Sequence, residues 1–251
     1  MTISVVLLQY RLPEYTRIAL QSVLESDLAP SEIILVDNGS PEEEISWAET
    51  FPVKIIRLTE NIGYVRGTNV GWRAAQNEFI FLLNNDLSLS RQCIRRMVAA
   101  LQKYPKIGWL TACYQRGPWD NSKTPMPTHI ERELDQSKGA SRDKMNAWSE
   151  RLGDEPAIEY CNKTEGTAIM VRKSISLSVG EYWDELWGHH THDYSLRLKA
   201  NGYQTAACKN AVFWHSTEHP TVVAAFGDIA MPERYNHSTQ LMNTRYGTSW
   251  R

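Results

Sequence analysis

The segment Phe79-Ile80-Phe81-Leu82-Leu83-Asn84-Asn85-Asp86 constrains this chain more than any other, because five apolar residues stop abruptly at two amides and a carboxylate. A run of that length and apolarity is expected of a strand buried on both faces, as in a parallel sheet. Asp86 then falls at the strand's carboxyl end, where an open α/β sheet presents polar groups to its ligand crevice. The same residues also fit a plain strand followed by an Asn/Asp turn. The neighbouring segments therefore have to decide.

Those segments repeat the pattern. Residues 3–9 read as a buried strand, and Pro13 sits where a helix can begin, with Tyr15, Ile18, Ala19, Ser22 and Val23 on one face. Residues 32–36 form a second strand that runs into the turn signal Asp37-Asn38-Gly39-Ser40. A third strand over 53–58 ends near Asn61-Ile62-Gly63, and a helix is expected over 64–76. After the opening strand, Ile94, Met97, Val98 and Leu101 recur at helical spacing. Alternation of this kind predicts an α/β fold with a doubly wound, mostly parallel sheet flanked by helices.

A fifth strand is expected over 107–112, after which the pattern breaks. Residues 114–160 are rich in Pro, charge and Trp, with a helix expected only around 141–151. A segment that long inside a compact domain is more often functional than idle. Order returns with a strand over 167–172 and a helix over 193–200 closed by Asn201-Gly202. Residues 216–251 read as a C-terminal extension, either a lid or an edge-packing element.

Charge and composition narrow the function classes. A net charge of -2 supplies no electrostatic footprint for general nucleic-acid binding. No apolar run approaches the length needed to span a bilayer. The N-terminus lacks a charged leader, and its apolar stretch is short for a signal peptide. Cys93, Cys113, Cys161 and Cys208 are scattered without a C-x-x-C pair. These features predict a reduced, cytoplasmic protein.

Four polar strand ends would meet in one crevice: Gln9-Tyr10-Arg11, Asp37-Asn38-Gly39-Ser40, Asn61-Ile62-Gly63 and Asn84-Asn85-Asp86. Asp37 can accept hydrogen bonds from a base or ribose, or serve as an Asx-turn residue. Gly63, Gly67 and Gly71 surround a predicted helix start where backbone could approach a ligand closely. Arg66 could neutralise phosphate. The glycines match neither G-x-G-x-x-G nor the P-loop pattern, so dinucleotide and P-loop readings lack their fingerprints.

Taken in order, these motifs, together with Tyr64-Val65-Arg66-Gly67-Thr68-Asn69-Val70-Gly71, Gly166 to Arg172 and Asp193-Tyr194-Ser195-Leu196-Arg197, resemble a family 2 inverting glycosyltransferase with the GT-A fold. The resemblance implies a single domain over residues 1–215, with a nucleotide-sugar-binding half (1–112) and an acceptor-side half (113–215). It implies that Asn84-Asn85-Asp86 replaces the family's D-x-D pattern. Asp86 would then be the principal ligand of Mn²⁺ or Mg²⁺, joined by His215. Gln9, Tyr10, Arg11, Asp37, Asn61, Gly63, Arg66, Asn84 and Asn85 would contact the nucleotide sugar, a UDP-sugar above others. Hard oxygen ligands suit either ion.

An inverting transfer needs a base for the acceptor hydroxyl. Aligned through Leu196 and Arg197, Asp193 matches one acidic position of the family's motif, while the usual Glu-Asp pair falls on His190 and Thr191. Asp193 is the expected base, with His192 and His190 as alternates. Trp183 and Trp187 are the expected acceptor wall, Trp119 and Trp148 being further aromatics in or beside the irregular region. The implied acceptor is a glycan or lipid-linked glycan, with peripheral membrane attachment open.

Other readings make distinct demands. A sugar-1-phosphate nucleotidyltransferase needs a Gly-rich basic loop after the first strand, where this chain has Gln9-Tyr10-Arg11-Leu12-Pro13. A non-catalytic nucleotide-sugar-binding module would explain the missing acidic pair. A glycosyltransferase acting on a modified nucleic-acid base predicts a basic groove from Lys138, Arg142, Lys144 and Arg151. A zinc cluster would gather His189, His190, His192, His215 and His219.

Overall fold

The structure, a computed structural model, describes residues 2–114, 126–162, 166–216 and 231–247. Its strands are β1 (Ile3–Gln9), β2 (Glu32–Asp37), β3 (Lys54–Arg57), β4 (Phe79–Leu83), β5 (Leu87–Leu89), β6 (Ile107–Tyr114), β7 (Ile158–Tyr160), β8 (Ala168–Arg172) and β9 (Gln204–His215). Its helices are α1 (Pro13–Leu24), α2 (Tyr64–Ala74), α3 (Cys93–Lys103), α4 (Thr128–Gln136), α5 (Asp143–Glu150), α6 (Lys173–Val179), α7 (His190–Ala200) and α8 (Met231–Tyr246). Among the described residues no helix is long and apolar enough to cross a membrane.

The strands join one sheet in the order β3-β2-β1-β4-β8-β6-β9-β5, with β7 also paired to β9. The first four lie parallel, as the alternation predicts. Beyond β4 the sheet becomes mixed. Strand β8 runs antiparallel between β4 and β6, and β5 and β7 run antiparallel to β9. Because β8 reverses twice, β6 and β9 again point the same way as β4. Their carboxyl ends therefore share one edge of the sheet.

The period of two along the strands sorts side chains onto two faces. Val5 and Leu7 of β1, Ile33 and Leu35 of β2, and Phe79, Phe81 and Leu83 of β4 pack with α1 and α3. Val6 and Leu8, Ile34 and Val36, and Ile80 and Leu82 pack with Val65 and Trp72 of α2 and Tyr194 and Leu198 of α7. Both faces are covered, which explains why these strands are apolar runs rather than alternating ones.

Within the irregular region, α5 falls where a helix is expected and α4 is an addition. Ile130 and Leu134 of α4 pack with Met145, Trp148 and Trp214 in a third cluster, and Trp214 Nε1 donates to Asp135 Oδ1 at 2.9 Å. Trp148 is thus core rather than acceptor wall. Trp119 and His219 lie outside the described residues.

Gly67 and Gly71 have a different role from the one their spacing suggests. A Cβ at Gly71 would meet Val6 Cγ1 at 2.3 Å, and one at Gly67 would meet Leu8 Cδ1 at 2.7 Å. Both glycines let α2 lie close on β1; they face the sheet, not a ligand. Gly63 alone of the three has a positive φ, at 88°.

Candidate active site

The crevice edge is built from interlocked polar turns. Asp37 is fully buried at the end of β2; its Oδ1 accepts from the Ser40 N–H at 3.2 Å, and its Oδ2 lies 3.5 Å from Arg57 Nε. Asn38 bridges to the next turn, donating to Asn61 Oδ1 at 2.9 Å and accepting from the Ile62 N–H at 3.0 Å. Asn61 Oδ1 also accepts from the Gly63 N–H at 2.9 Å, holding the entry to α2. Arg11 has φ 53° and donates its N–H to Ser40 Oγ at 2.8 Å, while its guanidinium lies 5.7 Å from the Tyr10 ring centre. Gln9 is buried and donates to the Glu44 carbonyl at 2.9 Å, which makes it a loop anchor.

Asp86 and His215 meet because β5 pairs with β9 immediately beyond the end of β4. Leu87 pairs with His215, and the Ser216 N–H donates to the Asp86 carbonyl at 2.9 Å. Asp86 Oδ1 and His215 Nε2 lie 3.2 Å apart, both residues being buried. Asp86 Oδ1 has no aligned hydrogen bond among the described residues. A sealed carboxylate oxygen without a donor is costly unless something else completes it. Asn85 turns away and donates to Thr16 Oγ1 at 2.9 Å, so it supports the turn from beneath.

No cluster of three or more His, Cys, Asp or Glu is gathered among the described residues. Among the described residues the histidines do not gather as a zinc cluster: His189 bonds to Thr239, His190 packs on Tyr64 and Tyr182, and His215 lies against Asp86. One carboxylate with substrate phosphates and water suits Mg²⁺ or Mn²⁺, and the imidazole beside it favours Mn²⁺, the softer of the two.

Tyr64 carries the crevice wall across to α7. Its hydroxyl lies 3.0 Å from both Asn84 Oδ1 and the Gly166 carbonyl, and its ring centre is 5.4 Å from that of His190. Burial raises the Tyr64 hydroxyl well above the ordinary tyrosine value, and the nearby Asp86 charge adds to the rise. Burial lowers His190 from 6.5 to about 4, although a backbone hydrogen bond to Trp187 opposes it. The ring is therefore uncharged at neutral pH.

Three residues on one face of α2 hold the segment that leads into α7. Asn69 donates to the Tyr182 carbonyl at 2.8 Å and to Asp184 Oδ1 at 2.6 Å, and accepts from the Tyr182 N–H at 3.2 Å. Arg66 donates to the Asp184 carbonyl at 3.1 Å, and Arg73 pairs with Glu181 and Asp184. Arg66, expected to contact phosphate, is exposed and uses its Nε on this protein contact. The i, i+3, i+7 spacing of these residues is readable in the sequence; their partner, Asp184, is not.

Asp193 is fully buried and its carboxylate is occupied. Oδ2 accepts from Arg197 Nε at 2.8 Å, and Oδ1 accepts from the Tyr246 hydroxyl at 2.7 Å with Arg245 Nη1 at 3.4 Å. Ser238 of α8 accepts from the N–H groups of Trp187 and Gly188 at 2.9 and 3.1 Å. Trp183 is half-buried with the Arg245 guanidinium 4.4 Å from its ring centre. The expected acceptor aromatics thus sit under or beside the C-terminal helix.

Of the four residues expected to build a basic groove for a nucleic-acid acceptor, Arg151 is exposed and the other three have acidic neighbours. Arg142 is buried against Glu25, Lys144 pairs with Glu133, and Lys138 lies 4.0 Å from Glu14. Their charges are compensated within the protein.

Comparison with known proteins gives the same picture. The structure resembles Staphylococcus aureus TarS 1-349 in complex with UDP-GlcNAc (TM-score 0.67, 15% identity, 97% of this chain and 66% of that one). It also resembles GalNAc-T7 with UDP, GalNAc and Mn²⁺ (0.64, 16%, 86% and 44%). A third likeness is to the mannosyltransferase PcManGT from Pyrobaculum calidifontis in complex with GDP-Man and Mn²⁺ (0.61, 18%, 85% and 56%). These likenesses establish the GT-A fold. A Haemophilus influenzae protein described as an uncharacterized glycosyltransferase is 26% identical over 104 residues, covering 39% of this chain and 35% of its own length. The chain thus spans about a third of that relative. The family model for glycosyl transferase family 2 matches residues 4–175, well over half of the chain, and the chain belongs to that family.

Proposed function

We propose that this protein transfers a sugar from a nucleoside-diphosphate sugar, a UDP-sugar in the first instance, to an acceptor hydroxyl with inversion. The observation that carries the reading is the buried Asp86–His215 contact at the carboxyl ends of β4 and β9, beside Asn84. Family membership supports it, as do the nucleotide sugars and Mn²⁺ named for the structural neighbours.

Asp86 and His215 would hold Mn²⁺ or Mg²⁺, with the donor diphosphate completing the coordination. The ion supplies Lewis-acid stabilisation of the charge that grows on the leaving diphosphate. Asp37 and the Asn38–Asn61 turn offer fixed polar groups to the nucleoside. Tyr64, protonated throughout the physiological range, orients Asn84 against the donor side of the crevice.

The base comes from the first turn of α7. Asp193 already accepts from Arg197 and Tyr246, so we assign it the positioning of α7. His190 lies against Tyr64 on the crevice wall, at the position matched to the family's acidic pair. Its proton affinity, lowered to about 4, is that of a carboxylate, the type of base the resemblance implies. His192 is the alternate. The acceptor we propose is a glycan hydroxyl, the class the family resemblance implies; the acidic neighbours of Lys138, Arg142 and Lys144 weaken the nucleic-acid alternative.

A thermal-shift titration with UDP, GDP and their sugars, with and without Mn²⁺, tests the reading. Metal-dependent stabilisation by a nucleoside diphosphate is expected. Its absence for every nucleotide would overturn the proposal, whereas donor binding without turnover on any acceptor would make the chain a binding module.

A further inference from the structure

We propose that a cleft on the outer face of α7 is a second carbohydrate subsite, one that takes a ring bearing an anionic substituent, either a carboxylate or a phosphate. The cleft has a volume of about 330 Å³ and lies between α7 and the adjoining ends of β7 and β9. That is the small end of ligand pockets, roughly 300–1,000 Å³, and suits one or two sugar rings.

Helical spacing separates this cleft from the Asp193 network. Tyr194 and Leu198 point into the core, whereas His192, Ser195, Leu196 and Lys199, at i, i+3, i+4 and i+7, line the cleft. The opposite wall is held by two hydrogen bonds. The Cys161 N–H donates to the Thr205 carbonyl at 3.1 Å, and Thr205 Oγ1 donates to the Cys161 carbonyl. These backbone groups are already used, so a ligand would be read by side chains.

The side chains available are those that recognise sugars. Tyr160 at the end of β7 is 52% exposed, one of few large hydrophobic residues left so open, and its ring offers a face for pyranose C–H groups. Asn162 and Gln204 provide amide donors and acceptors for hydroxyls. Among the described residues no carboxylate lines the cleft and Lys199 forms no ion pair. By contrast, Lys103, Lys144 and Lys209 are each paired to a glutamate. A lone ammonium beside an exposed aromatic ring selects an anionic sugar over a neutral one.

The location suggests what the ring belongs to. His192 and Lys199 stand two turns apart along the cleft's α7 wall, and His192 lies about 200° around the helix from His190, so the cleft and the crevice wall occupy different sides of α7. An extended acceptor whose terminal hydroxyl enters the crevice would pass around the start of α7 and lay a more distant unit here. This assignment to the acceptor rests on the transferase reading; the binding itself does not.

The test is therefore made on the full chain without donor. Saturation-transfer NMR titrations would use methyl glucuronide, glucose 6-phosphate, methyl glucoside and inorganic phosphate. At least one of the two anionic sugars should bind more tightly than methyl glucoside, and which one binds identifies the anion. Lys199→Glu and Tyr160→Ala should each weaken that binding about tenfold, the scale of one charge-assisted bond or one stacked ring. Both side chains are at the surface, and the thermal shift with UDP and Mn²⁺ should be unchanged in both variants. Equal binding of methyl glucoside, equal binding of bare phosphate, or full binding by both variants would each overturn the proposal. Loss of the nucleotide shift with sugar binding intact would instead count against the transferase reading alone.

Discussion

The hydroxyl of Tyr246, in the last turn of α8, donates to Asp193 Oδ1 at 2.7 Å. This bond ties the C-terminal helix to the first turn of α7 and, with Arg197 and Arg245, occupies the carboxylate of that turn. Burial, reinforced by the Asp193 carboxylate, pushes the Tyr246 hydroxyl up to about 12, so it remains a donor at any physiological pH.

Removing the carboxylate should therefore cost stability before it costs chemistry. Asp193→Asn leaves the partly buried Arg197, still bonded to the Val179 and Glu181 carbonyls, without its charge partner, a loss of about 3 kcal/mol on the scale of broken buried pairs. Tyr246→Phe should cost about 1 kcal/mol. Urea unfolding of both variants checks this. A normal unfolding midpoint in Asp193→Asn with turnover abolished would return the base to Asp193.

Asp86→Ala should remove the metal-dependent part of nucleotide stabilisation while leaving the apo protein folded. His215→Ala should weaken metal affinity by at least about 10–100-fold, the loss seen when only a supporting partner of a ligand is removed. Calorimetric titration with Mn²⁺ in the presence of UDP measures both. Undiminished Mn²⁺ affinity in Asp86→Ala would place the metal elsewhere.

Acid should destabilise the protein through His190. Its folded value is about 4 against an ordinary 6.5, so between these values the unfolded chain binds the extra proton. The contribution is complete above pH 6.5 and is lost as the pH falls toward 4, by on the order of 2–3 kcal/mol. Unfolding midpoints collected from pH 7 to pH 4 should fall more steeply for the wild type than for His190→Gln. Parallel curves would show that the ring is not sealed.

Gly71→Ala tests the packing of α2. The added methyl would press on Val6 and Val36, and overpacking of this kind costs about 1–3 kcal/mol. The melting temperature should fall with nucleotide affinity retained once the variant is folded. Selective loss of nucleotide binding at unchanged stability would restore a ligand-facing role to this glycine.

Much of this architecture is legible in the chain itself. The apolar runs 3–9, 32–36 and 79–83 announce doubly covered strands, since only a strand buried on both faces can dispense with polar alternation. The polar ends of those runs likewise announce the crevice, and Asp37, Asn61 and Asp86 stand there. The helix α4 is less visible: its inward residues, Ile130 and Leu134, are outnumbered by charges, and only Trp214 on a distant strand makes that stripe a core.

Local sequence thus determined six of the nine described strands, the turns that follow them and the position of Asp86, because each follows from a periodicity or a turn preference within a few residues. Strands β5, β7 and β9 carry no such signal and form through their pairing with one another. What each polar group does was decided by contacts across the chain. Asp86 meets His215 only because β5 returns along β9, 129 positions on in the chain's numbering being brought within 3.2 Å. Asp193 becomes an anchor only because Tyr246 and Arg245 reach it from α8, and Gly71 packs on the sheet because α2 lies against Val6. No local preference encodes such pairings. They arise when buried polar groups must find partners and buried surfaces must fit, conditions that exist only in the assembled fold.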